Sequence, residues 1–516
     1  MGVTRGRWSS GRRSRGGVRF AAVTVSTVLA IASLGLAWAD AAGAVPTGNA
    51  QKDYPEVDVS KLVVHQLPAG TPQTTAIVAA GSPTPLEGRA LDPGYVEKEF
   101  LVQGDASTYR GPVTGPAEVA QTNVPYSTRV LVRYPKDAGK FSGRVVVEPF
   151  NTSNNGTDLD AVWSMMAPLL QKRGDAWVGV TERTSAGEAL RQADPTRYAD
   201  INVPSNDVAW DVLAQVGAAI RKGGSDSPLQ GLDPKHLYMA GYSQSGVDVA
   251  AFAMALAKHF GMPAGTPDYD GYFPAAHAAS VTPLEAGTSV IPKFETPVMT
   301  PVGVPVVNLE DQSGVEGFTA DLPAAAQATL GQKNYTNVSS ASVRRADSDR
   351  PGDQYRLYEV AGMPHAPGGD GCQGPASTFP VAAVARGTFG LLNRWVETGQ
   401  KPPHAPRIKM AEIGTVSKVA VDQNGNATGG VRLPYLDDAL VRYDAHAPGA
   451  ITCELAGHEA PLDPAALAKK YQSVDAYMKQ FTKGLDAMIK AGYIASLDRA
   501  QLIADQKEKA TQVLGR

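Results

Sequence analysis

Short apolar runs and amphipathic helical patterns alternate through the middle of the chain. Arg144–Glu148, Ala176–Val180 and His236–Ala240 are compact runs of strand length, each bounded by polar or turn-forming residues. Asp207–Ile220 instead has its apolar positions at helical spacing. This alternation predicts parallel strands joined by right-handed crossovers, with ligands bound at the carboxyl ends of the strands. We therefore expect an α/β protein whose mostly parallel central sheet is flanked by helices.

Further segments extend this sheet on both sides. An antiparallel edge and two more strands are predicted at Tyr95–Val102, Tyr126–Tyr134, Val304–Leu309 and Tyr355–Val360. A helix is predicted after the last of these strands, over Val381–Glu397.

Composition divides the chain into unequal parts. Residues 45–90 are rich in Pro, Gly and Thr and predict an extended arm, whereas residues 91–516 predict the α/β domain. Within that domain, the Pro- and Thr-rich residues 263–303 predict an insertion that covers the site. Residues 463–516 predict C-terminal helices that dock on the same domain through an apolar face.

The first 44 residues have the pattern of a secretory signal peptide. An arginine-rich start precedes the apolar run Phe20–Ala39, and small residues suited to cleavage follow it. An uncleaved membrane anchor is the alternative, because the run is just long enough to span a bilayer. Arg12 and Arg13 leave a twin-arginine export route open.

The charge of the mature chain excludes one class of partner. Without residues 1–44 the chain has 42 basic and 50 acidic residues, a net charge of −8. An acidic exported domain is a poor nucleic-acid binder, so we expect no nucleic-acid partner. The sequence contains no Cys/His spacing typical of a metal site, no P-loop and no dinucleotide-binding glycine motif. We therefore predict no metal and no cofactor.

A turn of small residues follows the run His236–Ala240. The chain passes through Gly241 to Ser243, and an Ala-rich helical stretch begins directly afterwards. This order predicts a nucleophile elbow, in which a serine at a strand-to-helix turn presents its hydroxyl near the positive end of the helix. Ser245 stands where the usual G-x-S-x-G pattern has its second glycine. The alternative is an ordinary Gly/Ser turn, and the partners of Ser243 decide between the two.

A serine hydroxyl needs a base, and the base needs an acid that fixes its tautomer. In folds with this elbow the chain order is serine, acid, histidine. His365 follows Tyr355–Val360 in a non-helical loop, whereas His404, His446 and His458 follow no such strand. We therefore predict His365 as the base.

Two adjacent carboxylates, Glu310 and Asp311, follow the preceding strand, where the acid is expected. Because alternate residues of a strand face opposite sides, only one of them is expected to reach His365. We favour Glu310 as the acid and keep Asp311 as the alternative. The carboxylate that is not used is expected to be a helix cap or a solvated surface group.

An ester's tetrahedral intermediate also needs hydrogen-bond donors aimed at its oxyanion. The backbone N–H of Gln244 is the first donor by its position after the serine. The loop after Val145–Glu148 is expected to provide the second, from Asn151 or Thr152.

The two cysteines, Cys372 and Cys453, are predicted to form a disulfide, because an even pair in an exported chain is usually bridged. Cys372 lies seven residues after His365, at the end of the Gly- and Pro-rich stretch Pro367–Gly371. A bridge to Cys453 would fasten this loop to the C-terminal segment. Two buried free thiols are the alternative.

Several of these motifs together resemble the secreted α/β-hydrolase-domain proteins common in actinobacteria. The resemblance covers about residues 90–510. It is carried by Val146–Ser153, Gly241–Gly246, Leu309-Glu310, Tyr358–His365, Gly429–Pro434 and Cys453–Gly457. It implies the α/β-hydrolase fold and hydrolysis of a carboxylic ester, with Ser243, Glu310 and His365 at the matching positions.

The function expected from the sequence is therefore that of a secreted serine esterase. It would act through an acyl-enzyme on a small-molecule or lipid-like ester, with no stable membrane span after processing. Transfer of the acyl group to an alcohol uses the same residues and is one alternative. A hydrolase-fold binding protein without turnover is the other, and the presence of all three catalytic residue types argues against it.

Overall fold

The computed structural model describes residues 57–68, 91–154, 156–262, 266–289, 293–321, 327, 333–366, 372, 374–447 and 451–515. The predicted signal peptide lies outside these residues, as does most of the predicted arm, residues 45–90. The described part of that arm contains a strand, Val63–Gln66, which pairs with the edge of the central sheet.

A ten-stranded sheet runs through the described residues. In chain order its strands are β1 (Val63–Gln66), β2 (Tyr95–Arg110), β3 (Glu118–Pro135), β4 (Arg144–Pro149), β5 (Ala176–Val180), β6 (His236–Tyr242), β7 (Gly271–Ala275), β8 (Val306–Asp311), β9 (Ser348–Arg350) and β10 (Asp353–Val360). Their order across the sheet is β1-β2-β3-β5-β4-β6-β7-β8-β10-β9.

The sheet is parallel in its middle and antiparallel at its edges. Neighbouring strands from β5 across to β10 pair in parallel. The pairs that involve β1, β2, β3 or β9 are antiparallel. The predicted antiparallel edge is therefore confirmed, in strands longer than the sequence pattern indicated. The carboxyl ends of the parallel strands lie at the same edge of the sheet, where ligands bind in such folds.

Helices follow most of the parallel strands. They are α1 (Ala161–Arg173), α2 (Thr184–Ala193), α3 (Ala209–Lys222), α4 (Gln244–Ala255), α5 (Gln312–Glu316), α6 (Val381–Thr398), α7 (Pro434–Asp437), α8 (Ile451–Ala456), α9 (Pro464–Tyr471), α10 (Val474–Ala491) and α11 (Arg499–Leu514). Among the described residues, none of these helices combines the length and apolar character needed to cross a bilayer.

The two largest hydrophobic clusters of the described residues lie on opposite faces of the sheet. Strand β6 contributes to both, because its side chains alternate: Tyr238 and Ala240 pack with α1 and α6, and Leu237 and Met239 pack with α3 and α4. This burial on both faces explains why the parallel strands read as continuous apolar runs in the sequence.

The interpretation of residues 263–303 as one irregular insertion is wrong for residues 271–275. These residues form β7, a fully buried strand between β6 and β8. The strand is only five residues long and contains Gly271 and Pro274, which are uncommon in strands, so its composition did not predict a strand. Beyond it, Val281 and Leu284 pack into the hydrophobic cluster beside α3 and α4.

The predicted C-terminal helices are present as α9, α10 and α11. Phe481 and Leu485 of α10 are buried in the cluster that also contains α1 and α6. Met478 and Met488 are partly buried against the same cluster. These apolar residues of α10 therefore form a face that docks on the domain, as their helical spacing predicted.

Short two-stranded pairs lie outside the central sheet. They are Asn151–Asn154 with Thr157–Leu159, Gly261–Met262 with Thr266–Pro267, Phe318–Asp321 with Asn334–Asn337, Met410–Glu412 with Lys418–Val419, and Val441–Asp444 with His458–Pro461. The first of them directly follows β4, so it shapes the loop at the carboxyl end of that strand.

The predicted disulfide between Cys372 and Cys453 is present. Cys453 lies on α8, and the backbone N–H of Ala366 donates to the Leu455 carbonyl of the same helix at 2.9 Å. Residues 367–371, which connect His365 to the disulfide, lie outside the described residues. Of the described residues after His365, Ala366 and Cys372 are therefore fastened to α8, by a hydrogen bond and a disulfide respectively.

Replacing both cysteines by alanine is expected to destabilise the protein. The bridge closes a span of 81 residues, for which the chain-entropy model gives a loss of up to about 4.5 kcal/mol in the free energy of unfolding. Denaturation by guanidinium chloride, with and without reductant, measures this loss. The double variant is the control, since reductant should leave its midpoint unchanged; a wild-type midpoint insensitive to full reduction would contradict the prediction.

Candidate active site

Ser243 occupies the turn between β6 and α4 in a backbone conformation that residues other than glycine rarely adopt. Its backbone has φ 60° and ψ −127°. Strain of this kind costs roughly 1–3 kcal/mol and persists only where the surroundings enforce it. The Ser243 N–H donates to the Ala275 carbonyl at the end of β7, at 2.9 Å. The neighbouring strand therefore helps to hold the strained turn.

The small residues around Ser243 are required by close backbone contacts. A Cβ at Gly241 would overlap the carbonyl of Ser245, and a Cβ at Gly246 would lie 2.5 Å from the Ala275 oxygen. Ser245 has a further role, because its hydroxyl accepts the Tyr242 N–H at 3.0 Å and lies 3.1 Å from the Tyr242 carbonyl. The departure from G-x-S-x-G thus adds side-chain hydrogen bonds inside the turn.

His365 lies between Ser243 and a carboxylate. Its Nε2 is 2.8 Å from the Ser243 hydroxyl, and its Nδ1 is 3.1 Å from Oδ2 of Asp311. The tyrosine before the serine, Tyr242, donates its hydroxyl to the His365 carbonyl at 2.6 Å. Because the carboxylate accepts from Nδ1–H, the lone pair of Nε2 faces the serine hydroxyl.

The carboxylate that contacts His365 is Asp311, so the preference for Glu310 is wrong. Both residues lie at the end of β8, and their side chains point to opposite faces of the sheet, as strand geometry requires. Asp311 also caps α5, since its Oδ1 accepts the Gly314 N–H at 2.6 Å. The alternative role considered for Asp311, a helix cap, is therefore combined with contact to the histidine.

The two carboxyl groups have opposite ionisation tendencies. Burial alone raises the pKa of Asp311, but the hydrogen bonds and charge of its neighbours, His365 first among them, together outweigh burial and lower that pKa below its ordinary value. The Ser313 hydroxyl and the Gly314 N–H act in the same direction. For Glu310, burial raises the pKa well above its ordinary value, and the neighbouring Asp311 charge adds to that rise.

The three predicted oxyanion residues, Asn151, Thr152 and Gln244, lie together, but some of their N–H groups already donate to acceptors within the protein. The Gln244 N–H is at the first position of α4, where a helix has no internal acceptor for it. The Thr152 N–H donates to the Gln244 side-chain oxygen at 2.8 Å, so it is occupied. The Asn151 side chain donates to the Tyr242 carbonyl at 2.9 Å. Its backbone N–H belongs to a residue paired with Leu159 in the adjoining strand pair.

A series of buried polar side chains, which the sequence analysis did not predict, connects the start of α4 to the loop after β4. The Gln244 amide donates to Asp248 at 2.8 Å, one turn along α4, and Asp248 forms an ion pair with Arg183. The Thr282 hydroxyl also donates to Asp248, at 2.6 Å. Through Gln244 this series reaches the Thr152 backbone. The i, i+4 spacing of Gln244 and Asp248 was the one available signal in the sequence.

No group of three or more His, Cys, Asp or Glu side chains suited to a metal ion occurs within the described ranges. The donor set at Ser243 consists of one serine, one histidine and one carboxylate, which suits acid–base chemistry at a hydroxyl.

Residues 64–504 match the sequence family described as alpha/beta hydrolase domain. Together with the mostly parallel sheet flanked by helices, this match confirms the predicted α/β-hydrolase fold. No curated protein matches the sequence.

Several solved structures are similar to the chain at low identity. They include the rice cell wall degrading esterase LipA from Xanthomonas oryzae (14% identity, 43% of this chain and 51% of that chain covered, TM-score 0.22), a glucuronoyl esterase from Caldicellulosiruptor kristjansonii (14%, 43% and 47%, 0.21) and an esterase from Pyrobaculum calidifontis (15%, 40% and 50%, 0.22). The chain spans about half the length of each of these three proteins.

Gly246→Ala is expected to destabilise the protein, because the new methyl group meets the Ala275 carbonyl that holds Ser243. Overpacking of this kind lowers the free energy of unfolding by about 1–3 kcal/mol. Gly390→Ala is the matched control, since Gly390 lies in α6 with open space at its Cβ position; there alanine should be neutral or stabilise by up to about 1 kcal/mol. Thermal unfolding compares the two, and equal stability of both variants would contradict the steric argument.

Proposed function

The chain belongs to the alpha/beta hydrolase domain family, and from that premise we propose that it hydrolyses a carboxylic ester through an acyl-enzyme formed on Ser243. The observation that carries the proposal is the position of His365, with Nε2 2.8 Å from the serine hydroxyl and Nδ1 3.1 Å from Asp311. These distances match those required of a nucleophile, its base and the acid that orients the base.

In the first half of the proposed reaction, His365 removes the proton from Ser243 as Oγ attacks the ester carbonyl carbon. Asp311 remains ionised, holds the imidazole through Nδ1–H and stabilises the imidazolium that forms. The lowered pKa of Asp311, caused by its contact with His365, suits this role. When the tetrahedral intermediate collapses, the C–O bond to the alcohol breaks and His365 gives the proton to the leaving oxygen.

The negative charge of the intermediate requires donors that are already in place. The Gln244 N–H at the start of α4 is one such donor, and the helix adds positive potential at that end. In the loop after β4, the Thr152 N–H and the Asn151 side-chain amide already have acceptors, and Asn151 is paired with Leu159, so we assign only the Gln244 N–H to the oxyanion.

In the second half, a water molecule takes the place of the alcohol. His365 removes a proton from the water as it attacks the acyl carbon, and the bond from that carbon to Ser243 Oγ breaks. The serine regains its proton from the imidazolium, and the carboxylic acid leaves. An alcohol in place of water would give acyl transfer by the same steps.

We also propose that the protein is exported and that its substrate is a small-molecule or lipid-like ester. Export is supported by the basic start and apolar run of residues 1–44 and by the Cys372–Cys453 disulfide, because disulfides persist in oxidising compartments. Purified mature protein assayed against p-nitrophenyl esters of graded acyl length tests the substrate class. Added alcohols in the same assay distinguish acyl transfer from hydrolysis.

Ser243→Ala is expected to lose labelling by a fluorophosphonate probe and to lower ester turnover at least about a thousandfold, because the nucleophile is gone. Ser225→Ala is the matched control, since Ser225 is an exposed serine whose hydroxyl donates to the side chain of Asp226. Persistent labelling of Ser243→Ala would contradict the assignment. Labelling of the wild type without turnover of any ester would favour a binding protein.

Asp311→Asn is expected to lower kcat roughly 10³- to 10⁴-fold on the same ester, because an amide cannot hold His365 in the required tautomer. Asp226→Asn, a change at an exposed carboxylate, is the control and should leave kcat unaltered. Equal kcat values for the two variants would remove Asp311 from the mechanism.

A further inference from the structure

The turn that follows β7 has an unusual backbone. Ala276, Ala278 and Ala279 have φ values of 52°, 50° and 55°, in the left-handed region that alanine rarely adopts. Left-handed conformations at residues other than glycine need support from their surroundings. Glycine would fit each position without that support, so the alanines make the turn dependent on the contacts that hold it.

One carboxyl group, that of Glu310, supplies two of these contacts. Its Oε2 accepts the backbone N–H of Ala278 at 3.0 Å. Its Oε1 lies 3.1 Å from Nε2 of His277, at an angle short of a regular hydrogen bond. The other nitrogen of His277, Nδ1, lies 2.9 Å from the Ser280 carbonyl. Glu310 and His277 together therefore connect β8 to the start and the end of the turn.

The protonation of this pair follows from the hydrogen-bond chemistry. A carbonyl only accepts, so Nδ1 of His277 donates to Ser280, and a neutral His277 has its lone pair on Nε2. A neutral carboxylic acid on Glu310 can donate to that lone pair, whereas a carboxylate cannot. Burial lowers the pKa of His277 to about 4, and burial raises the pKa of Glu310 well above its ordinary value. Both tendencies favour a neutral acid facing a neutral imidazole.

This turn lies next to the backbone of Ser243 on one side and next to Gly314, which binds Asp311, on the other. The carbonyl just before it, that of Ala275, accepts the Ser243 N–H at 2.9 Å. On its other side Ala278 faces Gly314, where an added Cβ would meet the Ala278 Cβ at 3.3 Å. The Gly314 N–H is a donor to Asp311. A displaced turn would therefore shift the backbone of Ser243 and the environment of Asp311.

We propose that Glu310, as a neutral acid, is a positioning residue that holds the left-handed turn 276–280 and through it the backbone of Ser243. The inference rests on the proposed esterase function, because its effect is read in turnover. It also explains why a second carboxyl directly precedes Asp311 without contact to His365.

The test compares two substitutions of similar size at Glu310. Glu310→Gln keeps an acceptor for Ala278 and a donor for His277 without charge, so its kcat should stay within about threefold of the wild-type value. Glu310→Met fills the same space without hydrogen bonds, so its kcat should fall at least about tenfold while KM changes little. Thermal unfolding of both variants shows whether each is folded at the assay temperature.

A second substitution tests the route of the effect. Ala279→Gly in the Glu310→Met background should raise kcat at least about threefold, because glycine adopts the left-handed conformation without support. If Glu310→Met does not fold, the kcat of Glu310→Gln alone decides: a loss beyond tenfold overturns the proposal.

The possible outcomes separate this inference from the proposed function. Equal loss of kcat in the Gln and Met variants would overturn the neutral-acid role, and wild-type kcat in both would show that the turn does not need Glu310. Residual turnover by Ser243→Ala in the same assay would instead contradict the proposed function. If Ser243→Ala is inactive but Glu310→Gln and Glu310→Met have the same kcat, only the role of Glu310 is contradicted.

Discussion

The left-handed backbone of Ser243 is the constraint on which the arrangement around the site depends. A serine held at φ 60° projects its hydroxyl away from β6 and places the next N–H at the open start of α4. The conformation is unfavourable by itself, so neighbouring groups must enforce it. The Ala275 carbonyl binds the Ser243 N–H, and Gly241 and Gly246 allow the close approach that this requires.

The carbonyl that supports Ser243 belongs to Ala275, at the end of β7, and the turn directly after it is also strained. The residues after Ala275 form a second left-handed turn, at Ala276, Ala278 and Ala279. That turn is held from β8 by Glu310. The local geometry of the serine thus depends on a strand about 70 residues further along the chain, which ties the reactivity proposed for Ser243 to the integrity of the sheet.

Strand alternation gives two adjacent carboxyl groups different chemistry. Asp311 points to the face that contains His365, where hydrogen bonds favour its charged form. Glu310 points to the opposite face, where burial favours its neutral form. One charge next to the histidine is enough to orient it, and a second charge one residue away would repel the first. A neutral Glu310, as proposed above, would add no repulsive charge beside Asp311.

The sequence by itself indicated the α/β class and the antiparallel edge through local periodicity, and the disulfide through an even pair of cysteines. Turn composition and chain order were enough to select Ser243 and His365, which the structure places 2.8 Å apart. The sequence also established that only one of Glu310 and Asp311 reaches the histidine, because side chains alternate along a strand. Only the tertiary structure decided which one, because the face of β8 that meets His365 is set by how the sheet packs between its helices. The same holds for β7, whose five residues become a strand through pairing with β6 and β8, contacts that their own composition does not encode.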